Sequence, residues 1–131
     1  MGIVNSIRRS GLMKLPESSR VTVQIILDKH SVLQELHIGG HAGSVPQGMN
    51  VACGAVSLLA KTAYEAMREF KDIPLCGNAP EPGKLWFKLV SYTGEHKAQL
   101  QGMTSFLIKG FTVLQREFPD AVYVVIQSTG G

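Results

Sequence analysis

Proline placement limits what this chain can fold into, because a proline inside a helix or a central strand costs a backbone hydrogen bond. Pro74, Pro80 and Pro82 share one stretch with Gly77 and Gly83, so residues 71–83 read as a connection with room for only a short irregular strand. Pro46 lies among Gly43 and Gly48, and 41–49 reads as a mobile loop. Pro119 stops whatever precedes it. Two proline-free segments, 50–70 and 97–118, remain for helices. In the first, Val51, Ala55, Leu58, Leu59, Ala66 and Phe70 recur near helical spacing. Asn50 is its expected N-cap, and Val51, Ala55, Leu58 and Leu59 are expected to face the core. In the second, Leu100, Met103, Leu107, Phe111, Leu114 and Phe118 form one apolar stripe.

The rest of the chain reads as strands. Val21–Leu27 is dense in β-branched residues, and Asp28–Ser31 turns it into a second run, Val32–Ile38, that ends at Gly39-Gly40. Leu85–Tyr92 reads as a central strand whose aromatic residues belong to the core, and Ala121–Gln127 as the last strand. The order β-β-α-β-α-β predicts a single-domain α/β fold with two helices packed on a mixed sheet. A chain of 131 residues with 44% hydrophobic content can build that core, which excludes a disordered or fibrous chain.

The net charge of +3 raises the question of nucleic acid. Arg8, Arg9, Lys14 and Arg20 against Glu17 account for all of it, and residues 21–131 carry equal numbers of acidic and basic side chains. The expectation is therefore a basic, flexible extension at 1–20 and a neutral domain at 21–131, with no direct nucleic-acid readout. No apolar run suits a membrane span, so no membrane partner is expected and the cytoplasm is the expected location. Two cysteines are too few for a disulfide framework.

Chemistry points to His41, followed twelve residues later by Cys53. A thiol becomes a nucleophile at neutral pH when a base or a positive field lowers its pKa. With Asn50 as cap, Cys53 falls in the first helical turn, where unpaired N–H groups and the helix dipole stabilise a thiolate and supply oxyanion donors. A lowered thiol pKa, and faster alkylation of Cys53 than of Cys76, are expected. At 100° per residue, Asn50 lies about 60° to one side of Cys53 and Ser57 about 40° to the other, with Lys61 continuing the stripe. The three polar residues share one face. A structural cysteine beside an unrelated histidine would match the spacing equally well.

Gly40-His41-Ala42, Gly48, Val51-Ala52-Cys53 and Ser57 together resemble the signature of the ribosomal-processing cysteine protease family, Prp, and the element order from Val21 to Gln127 is similar to that of the family. The resemblance implies a homodimeric cysteine endopeptidase that removes the N-terminal extension of the twenty-seventh large-subunit ribosomal protein, cutting after paired phenylalanines. It implies Cys53 as nucleophile, His41 as base and Ser57 as a supporting polar residue. Where the family usually carries an aspartate three residues before the cysteine, this chain has Asn50, which can orient an imidazole but supplies no negative charge. No cofactor is implied. The alternative is a non-catalytic ribosome-associated or RNA-binding module with a structural cysteine, although such a module gains nothing from aligning Asn50, Cys53 and Ser57.

The remaining candidates point nowhere. His30, His37, Cys76 and His96 show no metal-ligand spacing, so no metal site is expected. The glycines make no phosphate loop.

Overall fold

A computed structural model describes residues 19–41, 47–81 and 84–129; of the loop expected at 41–49, residues 42–46 lie outside the described residues, while His41 belongs to a strand and 47–49 to a helix. Strands β1 (Ser19–Leu27) and β2 (Leu33–His41) form the predicted hairpin. Helix α1 (Gln47–Arg68) follows, then strands β3 (Leu75–Glu81) and β4 (Lys84–Leu89), a single 3-10 turn at Gly94–His96, helix α2 (Lys97–Glu117) and strand β5 (Val122–Ser128). The short strand foreseen in the connection is β3, which pairs antiparallel with β4 and completes a five-stranded sheet. Its order is β3-β4-β2-β1-β5, mixed because β1 and β5 run parallel while the other pairs are antiparallel.

Both helices pack on one face. Val21, Val23 and Ile25 of β1 alternate inward, as do Leu36 and Ile38 of β2 and Leu85, Phe87 and Leu89 of β4, and all are buried. Against them α1 lays Ala52, Val56, Ala60, Ala63 and Met67, and α2 lays Leu100, Thr104, Leu107 and Phe111. The spacing of four, four, three and four along α1 is that of a single helix face.

This corrects part of the expected core face of α1, although Leu59 does pack against the core. Val51 and Leu58 are exposed, and small residues one position further along carry the packing. Periodicity fixes the angles between side chains but not which side meets the sheet, and alanines let the helix approach closely where leucines would hold it off. Strand β4 is also shorter than expected. Tyr92 lies beyond it, with its hydroxyl donating to the Asp28 carboxylate at 2.6 Å, and Trp86 is 37% exposed, while Phe87 is fully buried.

Two polar contacts close the architecture. The buried Thr104 hydroxyl oxygen accepts the Leu33 N–H at 2.9 Å, tying α2 to the start of β2. The Gln115 side chain accepts the Val124 N–H at 2.7 Å, which closes part of the outer edge of β5.

Candidate active site

The sequence candidates fall on two consecutive elements, His41 on β2 and Asn50, Cys53 and Ser57 on α1. His41 is the last residue of β2, paired in register with Ser19, the first of β1, and α1 opens at Gln47 after five intervening residues. Gly40, immediately before the histidine, has φ of 86°. That left-handed conformation costs any other residue roughly 1–2 kcal/mol, which gives the Gly40-His41 pair a physical reason. The side chains of His41 and Asn50 lie outside the described residues, as do those of the first turn of α1.

The structure moves the helix start. α1 begins at Gln47, three residues before the expected cap, so Asn50 is the fourth helical residue and not an N-cap. Nothing in Gln47-Gly48-Met49 prevents this, and a proline just ahead, here Pro46, suits a helix beginning. Cys53 is then the seventh helical residue. Its own N–H falls within the intrahelical ladder, and the unpaired donors are those of Gln47 to Met49, a turn or more N-terminal of Cys53. The dipole fades over that distance.

Cys53 is half-buried against the core, and Ser57 is half-buried one turn further along the same flank. Burial pushes the Cys53 thiol pKa up. The expectation of a lowered pKa is thus corrected for the described surroundings: the helix terminus is too far away to offset the loss of solvation. Cys76, in contrast, is exposed on β3. Lys61 and Arg68 follow on this flank of α1, and the Arg68 guanidinium lies 5.6 Å from the centre of the Tyr64 ring, a contact that the sequence reading did not single out. Tyr64 itself packs on Phe87 of β4 at 5.3 Å between ring centres, so the Cys53 flank looks toward the β4 side of the sheet. Among the described residues no group of three His, Cys, Asp or Glu side chains is placed to hold a metal ion, and no helix is long and apolar enough to cross a membrane.

The described residues hold a half-buried thiol on the helix that follows a strand ending in histidine, and a match to a family of cysteine proteases supplies the class. The chain is a member of the cysteine protease Prp family, whose model matches residues 20–123. Among solved structures it is similar to SMU.848 from Streptococcus mutans, at 24% identity and a TM-score of 0.69, covering 88% of this chain and 100% of that one. It is also similar to the essential ribosomal processing protease Prp from S. aureus in complex with a substrate peptide, at 12% identity and a TM-score of 0.67, covering 82% of this chain and 99% of that one. The same S. aureus protease with a covalently linked product peptide gives 13% identity and a TM-score of 0.63 over 82% and 99%. No curated protein matches. At these identities the likeness is one of fold, and it agrees with the α/β architecture expected from the sequence.

Proposed function

We propose that this protease is an endopeptidase working through a Cys53/His41 pair, and that its substrate is the N-terminal extension of the twenty-seventh large-subunit ribosomal protein. His41 takes the thiol proton, and the Cys53 sulfur attacks the scissile carbonyl. The amine leaves with the proton from the imidazolium, and water then hydrolyses the thioester to regenerate the thiol. Asn50 and Ser57 are supporting polar residues on the same helix flank.

The observation that supports this reading is a half-buried Cys53 on α1, the helix that follows β2 and its last residue, His41, after five intervening residues. Family membership supplies the reaction class. The ribosomal substrate rests on the sequence resemblance and on the S. aureus protein being a ribosomal processing protease solved with substrate and product peptides. We further propose a homodimer in the cytoplasm. Leu58 and Phe106, 68% and 75% exposed, flank a groove between α1 and α2 that is lined by Leu59, Met103 and Val113, an apolar surface that association would bury.

The test is cleavage of a peptide that spans a Phe-Phe site of such an extension. Cys53→Ala should lower kcat/KM by at least about 10³-fold with an unchanged circular dichroism spectrum, while Cys76→Ala cleaves normally. Wild-type cleavage by Cys53→Ala would remove the thiol from the mechanism.

A further inference from the structure

We propose that residues 1–18 fold back over the half of the sheet's outer face formed by β1 and β5, with Val125 beneath them. Both helices lie on the other face, where Val122 and Val124 of β5 join the core with their register partners Val21 and Val23 of β1. Val125 has the opposite parity and pairs with Gln24, so it points away from the helices and takes no part in that core. It is nevertheless only 3% exposed, on an edge strand. Thr22, Gln24, Ile26, Tyr123 and Gln127, its neighbours on that face, are all partly buried. On the same face of β4, Trp86 and Lys88 are exposed, as is Cys76 on β3. A sheet bare on this side would leave both halves open to solvent, so the β1–β5 half is covered.

The cover belongs to this chain, because Val125 is buried within a single chain. Among the described residues nothing supplies it: α1 and α2 pack on the other face, and Gln115 reaches β5 in the plane of the sheet, at the Val124 N–H. Of the remaining segments, 42–46 leads from β2 into α1, 82–83 joins β3 to β4 at the far side of the sheet, and 130–131 are two glycines with no side chain to lay over anything. Residues 1–18 alone have both the length and the apolar content, with Ile3, Val4, Ile7, Leu12, Met13 and Leu15. They also arrive at the right place. Ser19 opens β1, Val21 stands beside Val122, and Val125 is three residues further along β5, roughly 10 Å away at the rise of a strand. Arg20 has the outward parity of Thr22 and Gln24, and its guanidinium lies 5.2 Å from the centre of the Tyr123 ring on that face, so the chain enters β1 beside the outer side of β5.

This inference can fail separately from the protease reading, since Cys53 lies on a helix over the other face. Arg8, Arg9 and Lys14 make it measurable with trypsin. In the full chain, trypsin should cut after these residues at least about 10-fold more slowly than in a free peptide of residues 1–18, because only the undocked population is cut. Val125→Asp places a charge beneath the cover and should bring cutting back to the rate of the peptide, whereas Lys88→Glu, on the uncovered half, should leave the protection intact. Should Val125→Asp fail to fold, nuclear Overhauser effects in the wild type carry the test. The Val125 methyls should then show cross-peaks to methyls of Ile3, Val4, Ile7, Leu12 or Leu15. Cutting of the full chain at the rate of the peptide, or Val125 methyls without such cross-peaks, overturns the proposal. So does protection that is lost on dilution, which would make a second copy the cover.

Discussion

Two influences compete at the sulfur of Cys53. Desolvation pushes the thiol pKa up, and an imidazolium near it would bring it down. With the helix terminus more than a turn away, His41 is left as the activating group in our proposal. The pH profile of Cys53 alkylation therefore should reach half its maximum at lower pH in the wild type than in His41→Ala, and coincident profiles would show that the histidine does not act on the thiol. Without substrate, Cys76 should alkylate at least as fast as Cys53, because it is exposed and Cys53 is half-buried, the reverse of what spacing alone suggests. Thr104 is a residue of a different kind. It is 2% exposed, and replacing it with valine keeps its shape but strands the Leu33 N–H. Thr104→Val should destabilise the fold by about 1–3 kcal/mol in urea unfolding, and Thr104→Ser by less.

At the scale of elements, the β1–β2 hairpin is locked from outside itself. Asp28 accepts hydrogen bonds from the His30 and Val32 N–H groups and from the Tyr92 hydroxyl. Burial raises the carboxyl pKa, but those bonds outweigh it and the net shift is downward. Burial, and then the bond to Asp28, push Tyr92 up to about 12 from an ordinary 10. A raised pKa adds stability that is complete below the unfolded value and disappears as pH rises through the folded one. Stability should therefore decline between about pH 10 and 12, and Tyr92→Phe should lose that part of the alkaline dependence. Asp28 has the opposite sign: its contribution holds above the ordinary carboxylate pKa and is lost as pH falls through the lowered folded value. Strand β3 depends on a single residue. A Cβ on Gly77 would lie 2.6 Å from the Phe87 Cβ and 2.7 Å from the Trp86 carbonyl oxygen, so Gly77→Ala should loosen the β3–β4 pairing, seen as faster amide exchange there.

For the whole molecule, the proposed boundary and assembly each have a direct test. Residues 1–18 precede β1, and deleting them should preserve cleavage of a peptide substrate. If the shortened chain cannot cut a peptide that the full chain cuts, those residues are part of the active site. Phe106→Asp should shift the sedimentation of the proposed dimer to that of a monomer, since a charge on an apolar contact is costly to desolvate. A monomeric wild type, or a variant that still dimerises, places the interface elsewhere or removes it.

Local pattern determined much of this protein. β-branched runs, proline and glycine breaks, and two helical stripes gave the order of elements, and the Gly40-His41 and Cys53–Ser57 spacings were enough to find the family. Those signals are local because backbone sterics and turn chemistry act over a few residues. Tertiary structure decided what depends on neighbours distant in sequence. It chose Ala52 and Val56 over Val51 and Leu58 as the buried side of α1, since the sheet admits a close-packed face of small residues. It recruited 75–81 as a strand because β4 offered an open edge. It also turned Trp86 outward and raised the thiol pKa of Cys53, because exposure and desolvation are set by what the rest of the chain places around a residue, and sequence spacing carries no record of that.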